Sequence, residues 1–270
     1  MIRNDLHIHS LQSLCGIHSL MEIVNIAADK GMNLVNISDH GSANGKTMVF
    51  GVITDKSRVP PVIHSTKGVP IKVLAGIEAN ILNIDGDSDI PRDYISKFDL
   101  VSAGFHDMAE DLLSAQSPQK NIQALENYLK RYPLDIFTHP NIIPFPLPTT
   151  HLIDLALEYG FALEINNTNL RLGKANLELE LAMLNEAVAR SVRLVENSDG
   201  HSFLEIGENE SILQFLQKND IDGYSIFLNR HDDETGDYNA IEDELKNHHP
   251  PIFPEALRDG GDITPPRAHS

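Results

Sequence analysis

The sequence has no tryptophan and a single cysteine, Cys15, among 270 residues. One thiol excludes an internal disulfide and fits a reducing, cytoplasmic setting. Positive charge is scarce: 21 Lys and Arg stand against 39 Asp and Glu, for a formal net charge of −18. A chain this acidic has no electrostatic footprint for gripping duplex nucleic acid and should avoid anionic membranes. No apolar run approaches the roughly 20 residues that span a bilayer. Met1-Ile2-Arg3-Asn4-Asp5 carries no apolar signal core, so no leader is expected. What is abundant is histidine, 13 residues, and metal binding is the first explanation to test. Hydrophobic residues make up 41% of the chain, enough for a sizeable core in one large domain.

Strand-like and helix-like segments alternate. Residues 5–10 alternate polar and apolar, placing Asp5, His7 and His9 on one face of a strand. Ser19 and Glu22 have capping-box spacing, and Leu20, Ile23, Val24, Ala27 and Ala28 form one stripe of a helix that Gly31 ends. Further strands are predicted over 34–38, 73–80, 100–105, 135–138, 162–166 and 193–198, with one more over 224–228. Helices are predicted over 118–131, 151–159, 175–190 and 208–218. This alternation predicts a parallel sheet with right-handed crossovers. Seven or eight such units favour a closed barrel, although periodicity alone does not separate it from a doubly wound sheet. Residues 41–70 break the rhythm, and 47–56 within them could be helical. The expected organisation is one barrel over 1–229, followed by an acidic, Pro- and His-containing extension over 230–270. The last 20 or so residues are expected to have little fixed structure.

Residues with metal-ligand chemistry stand at the predicted strand ends: His7 and His9, Asp39 and His40, Glu78, His106, His139, then Asp199 and His201. In a parallel barrel the carboxyl ends of all strands open on one face, so these residues would converge. Positions i and i+2 of a strand share a side, so His7 and His9 can hold one ion. Imidazoles and carboxylates together suit Zn, Fe or Mn better than Ca or Mg. Any one buried histidine is more often a satisfied core residue than a ligand; an ordered set at successive strand ends is not explained that way. His18, His64, His151, His231, His248, His249 and His269 show no such placement.

Asp5-Leu6-His7-Ile8-His9-Ser10 and Ser38-Asp39-His40-Gly41 resemble the opening of the PHP (polymerase and histidinol phosphatase) family. Gly76-Ile77-Glu78-Ala79-Asn80, Ala103-Gly104-Phe105-His106, Thr138-His139-Pro140, Leu163-Glu164-Ile165-Asn166-Asn167 and Ser198-Asp199-Gly200-His201 are similar to its later motifs, in order. The resemblance is greatest to the stand-alone trinuclear-zinc phosphatase branch. It implies an α/β fold, a distorted (β/α)7 TIM-like barrel in a single domain, with up to three divalent ions. Zinc comes first, with iron or manganese as alternatives. One ion would be held by His7, His9, Glu78 and Asp199, and a second would share Glu78 and take His106 and His139. A third would take His40, His201 and the residue at position 15. That branch has His there; this chain has Cys15, followed by Gly16, and His18 is an alternative ligand.

The implied activity is hydrolysis of a small phosphate ester, a monoester first. Two ions sharing Glu78 would acidify a bridging water toward a pKa of about 7, and the resulting hydroxide would attack phosphorus. Glu78, Asp199 and His201 are the expected catalytic residues. Asp5 and Asp39 are candidates for orienting ligand imidazoles. Asn166, Asn167, Arg171, Lys174 and Arg230 could contact substrate, although surface solvation suits the last three better. No general acid stands out. The rival readings are an amidohydrolase-like hydrolase of C–N or lactone bonds, a nuclease, and a non-catalytic metal-binding module. Oligomeric state leaves no trace in the sequence.

Overall fold

The computed structural model describes residues 1–13, 15–44, 57–106, 117–223 and 226–233. The conceivable helix over 47–56 and the tail beyond 233 lie outside them. Among the described residues there are eight strands: β1 (Asn4–Ile8), β2 (Leu34–Ile37), β3 (Val62–His64), β4 (Pro70–Asn80), β5 (Leu100–Gly104), β6 (Ile136–Phe137), β7 (Ala162–Asn166) and β8 (Leu194–Asn197). The helices are α1 (Leu20–Asp29), α2 (Pro118–Leu129), α3 (Thr149–Tyr159), α4 (Asn167–Arg171), α5 (Leu177–Arg190) and α6 (Glu210–Lys218). Seven strands run parallel in the order β1-β2-β4-β5-β6-β7-β8, and β3 pairs antiparallel with β4 outside that path. The predicted (β/α)7 barrel is therefore the observed fold.

Local chemistry sets the elements. Ser19 and Glu22 form the reciprocal capping box that starts α1, whose buried stripe is Ile23, Val24 and Ala27. The predicted strand over 224–228 is not formed in the described residues: Phe227 makes one parallel bridge to Leu194, and Leu228–Asp233 turn as a 3-10 helix. The Asn229 amide explains the turn, since it donates to Asn4 O (2.8 Å) and Glu196 O (2.6 Å) and so occupies carbonyls a strand would use. The helix expected over 175–190 starts at Leu177, behind the unforeseen short helix α4.

The barrel interior is floored by Leu6, Leu34, Leu74, Leu100, Ile136, Ala162 and Val195, one residue from each parallel strand. That layer leaves the opposite, carboxyl ends free for polar residues. Side chains stitch the seam where β1 meets β8. Leu6 N donates to Asn197 Oδ1 (2.9 Å), Ser198 N donates to Asp5 Oδ1 (3.2 Å), and Ile8 bridges Gly200. Buried backbone groups that lack a regular ladder partner are thereby satisfied.

β1 carries a bulge. Asp5 pairs with Val35 but Ile8 pairs with Ile37, so β1 has one extra residue and Leu6 and His7 together oppose Asn36. Leu6 thus joins the floor while His7 reaches the site above it. The Asn36 amide donates to Leu6 O (2.8 Å), and Ile8 N donates to Ser38 Oγ (3.2 Å). Gly76 makes room for Asn36: a Cβ there would meet Asn36 Oδ1 at 2.3 Å.

Candidate metal centre

The carboxyl ends of the strands bring the predicted residues together. β1 delivers His7 and, just past its end, His9; the turn after β2 delivers His40, β4 Glu78, and the residues after β5 and β6 His106 and His139. The segment after β8 adds Asp199 and His201, and the loop after β1 adds Cys15. Ligand atoms lie within 4.8 Å of one another in three groups: His7, His9 and Glu78; His40, Glu78 and His106; and His9, Cys15, His40 and His201.

Glu78 is the hub. Its Oε1 lies 3.0 Å from His139 Nε2 and 3.3 Å from His106 Nε2. Its Oε2 lies 2.9 Å from His40 Nδ1, 3.3 Å from His7 Nε2 and 3.5 Å from His9 Nε2. Each oxygen therefore faces a different set of imidazoles. Asp199 Oδ1 lies 3.2 Å from His9 Nε2 and 3.6 Å from His7 Nε2.

Neighbours fix the imidazoles in one sense. His7 Nδ1 donates to Glu164 Oε1 (2.7 Å), and His9 Nδ1 donates to Ser13 Oγ (3.3 Å), whose hydroxyl donates to Asp39 Oδ1 (2.8 Å). His201 Nδ1 donates to the Asp199 carbonyl (2.9 Å). In all three it is Nε2 that is left facing the centre, which is how metal-binding histidines are held. Glu78 Oε2 and His40 Nδ1 are buried without a hydrogen-bond partner, an arrangement that costs about 1–3 kcal/mol per group unless a cation satisfies them. This donor set, with a carboxylate between imidazoles and a thiol at the rim, fits divalent transition ions.

Buried carboxylates and imidazoles hold one another's charge here. Burial pushes the Glu78 and Asp199 carboxyls up, but His7, His106 and His40 around the first, and His7, His9 and His201 around the second, hold both well below the usual range. Burial would lower His7, yet Glu164, Glu78 and Asp199 hold it well above its ordinary value. Burial pushes His106 down to about 4 and His9 well below normal, so both offer neutral rings. Burial raises the Cys15 thiol, but hydrogen bonds from His201 and His40 prevail and bring it down to about 6. Backbone strain is stored at two of the predicted residues, His139 (φ 34°) and Asp199 (φ 52°), as is common at functional sites.

The sequence pattern alone assigns Glu164 no role. Besides His7 it accepts from Asn197 Nδ2 (2.8 Å), Asn166 Nδ2 (3.0 Å) and His139 N (2.8 Å). The available signal was a carboxylate inside a wholly buried strand, two residues before Asn166. Asp39 acts on His9 through Ser13, close to expectation. Asp5 does not: the bulge turns it off the face of His7 and His9, and it ties Ser198 and Gly207 N instead. Asn166 donates to Asp199 Oδ2 (3.2 Å) and so belongs to the centre. Asn167 accepts from Ser211 N (3.0 Å) at the start of α6, Arg171 pairs with Glu205 (2.5 Å), and Arg230 pairs with Glu196, so these three are committed elsewhere. Lys174 is exposed. His18 Nε2 accepts from Phe203 N (3.0 Å) and stands outside the group that holds Cys15.

Known proteins share this arrangement of chain. A probable phosphatase from Shewanella oneidensis is 30% identical over 213 residues, 78% of this chain and 81% of the relative. Another, from Shewanella sp. strain W3-18-1, is 31% identical over 229 residues, 84% of this chain and 87% of the relative. In fold the chain is similar to histidinol phosphate phosphatase from Lactococcus lactis, solved with zinc, L-histidinol and phosphate. The TM-score is 0.53 at 13% identity, covering 82% of this chain and 94% of that one. It is also similar in fold to a chain of archaeal ribonuclease P solved with mature tRNA, with a TM-score of 0.54 at 15% identity, covering 90% and 93%. No helix among the described residues is long and apolar enough to cross a membrane. The PHP domain family matches residues 5–205, and the chain belongs to that family.

Proposed function

We propose that the protein is a metal-dependent phosphatase acting on small phosphate monoesters. The observation that carries this reading is the Glu78 carboxylate, whose two oxygens face separate sets of imidazoles. Its phosphatase-named relatives support the same reading. The proposed ligands are His7, His9, Glu78 and Asp199 for one ion, Glu78, His106 and His139 for a second, and His40, His201 and Cys15 for a third. Zinc is the first choice of metal. Bound divalent ions would supply positive charge for the phosphoryl oxygens and a water acidified to near-neutral pKa.

The chain's own residues do the rest. Glu164 and the Ser13–Asp39 pair hold His7 and His9 with their Nε2 atoms inward. Asn166 holds Asp199 by Oδ2, the oxygen other than the one beside His9. His201 and Cys15, at the rim, are placed to meet an incoming phosphate group first. The leucine-rich floor closes the other end, so the ester approaches from the strand ends alone. We assign this unit to residues 1–229, with 230–270 as an extension.

Hydrolysis of p-nitrophenyl phosphate by protein loaded with zinc, and its loss after chelation, tests the reading. Turnover that recovers on adding zinc back is expected. Protein with its full metal complement that cleaves no phosphate ester, or cleaves only lactones or amides, would overturn it.

A further inference from the structure

The outermost ligand group differs from the other two in its chemistry. Ring nitrogens of His9, His40 and His201 and the sulfur of Cys15 lie within 4.8 Å of one another there, and with His9 assigned to the inner ion, His40, His201 and Cys15 are left for the outer one. Cys15 is not there by chance of a loose loop. Leu11 N donates to His18 O (2.8 Å) and Ile17 N donates to His201 O (3.0 Å), so the loop is fastened on both sides of the thiol. Gly16 lies against the β1 end: a Cβ there would meet His9 O at 2.4 Å and Ser10 O at 2.5 Å. That close approach sets Cys15 beside His201 and His40. Glu78 Oε2, fully buried and without a hydrogen-bond partner, points at the His40 ring from the inner side. Of the four group members, Cys15 alone is exposed.

We propose that Cys15 makes this outer position a thiolate metal site, selective for borderline and soft cations such as Zn2+, Co2+ and Cd2+ over Mn2+ and Mg2+, and that hydrogen peroxide empties it by oxidising the sulfur. The proposal rests on the metal-dependent hydrolase reading and adds a metal class and a regulation to it. Thiolate prefers such cations, whereas a site of imidazole and carboxylate alone discriminates less. Exposure lets a small oxidant reach the sulfur, as in redox-sensing cysteines. The sulfur lone pair attacks one peroxide oxygen. An S–O bond forms as the O–O bond breaks, sulfur loses two electrons, and the second oxygen leaves as hydroxide. The resulting sulfenic acid is a poor ligand, so the ion is released. A thiol reductant restores the site by way of a mixed disulfide.

Cobalt-loaded protein tests this, with metal content measured per chain before and after peroxide and dimedone labelling read by mass spectrometry. Cys15 is the only thiol in the sequence, so label and band are unambiguous. The wild type should show a near-ultraviolet sulfur-to-cobalt charge-transfer band and, on peroxide treatment, lose that band and one ion while gaining the label. Cys15→Ser should lack the band and bind one ion fewer. Cys15→His should lack the band, keep its ions and resist peroxide. His18→Ala should behave as the wild type. Should the Cys15 variants not fold, alkylation of the folded wild type with iodoacetamide takes their place and should remove the same band. Fully loaded wild type without the band, or a Cys15→His protein that sheds its ion under peroxide as fast as the wild type, overturns the proposal. The band with no turnover of any phosphate ester supports the thiolate site and sinks the phosphatase reading. Turnover without the band sinks the thiolate site alone.

Discussion

Glu164 Oε1 lies 2.7 Å from His7 Nδ1, although 157 residues separate the two. The pair is buried, and the carboxylate also takes the His139 backbone N–H. Glu164→Ala would therefore free two elements of the centre at once. Zinc affinity should fall about 10- to 100-fold, the usual effect of removing a group that orients a ligand histidine. A chelator-competition titration reads this, and an unchanged affinity would refute the orienting role.

Glu78→Ala should cost more than one ion per chain, because each carboxylate oxygen faces its own set of rings. Metal analysis of the purified variant checks it. Loss of a single ion would mean that Glu78 serves one site alone.

Gly76→Ala should disturb the bulge from a distance. The added Cβ would overlap Asn36 Oδ1 at 2.3 Å and drive the amide away from Leu6 O. A buried carbonyl losing its donor costs about 1–3 kcal/mol. Denaturant unfolding should show that loss, together with weaker zinc binding, since His7 sits on the extra residue. A variant equal to wild type in both would show that the amide does not sustain the bulge.

Glu180 gives a pH signature. It is 3% exposed and takes a hydrogen bond from Asn141 Nδ2 (2.8 Å). Burial outweighs that bond and raises its carboxyl from 4.5 to about 7. Between those values the folded chain keeps a proton that the unfolded chain has released. Stability should therefore decline as pH rises from 4.5 to about 7 and level off above, by up to about 3 kcal/mol. Glu180→Gln should remove that decline, so its advantage over wild type should grow across the same window. Urea unfolding of both proteins at several pH values measures it; parallel curves would refute the assignment.

The barrel and most of the centre were legible because their signals are local. Apolar alternation marks strands, Ser19 and Glu22 mark a helix start, and His7-x-His9 marks a strand end. What failed depends on partners far along the chain. The bulge that turns Asp5 away from His7 is decided by pairing with β2. Glu164 shows its role only once β7 and β1 stand on either side of β8. Past Phe227 the chain turns instead of extending the strand expected over 224–228, because Asn229 reaches Asn4, 225 residues away.

The seven side chains that floor the barrel make the crater a dead end. A molecule that enters must leave by the door it used, past Cys15 and His201. On the proposed phosphatase reading, both products would share that one exit.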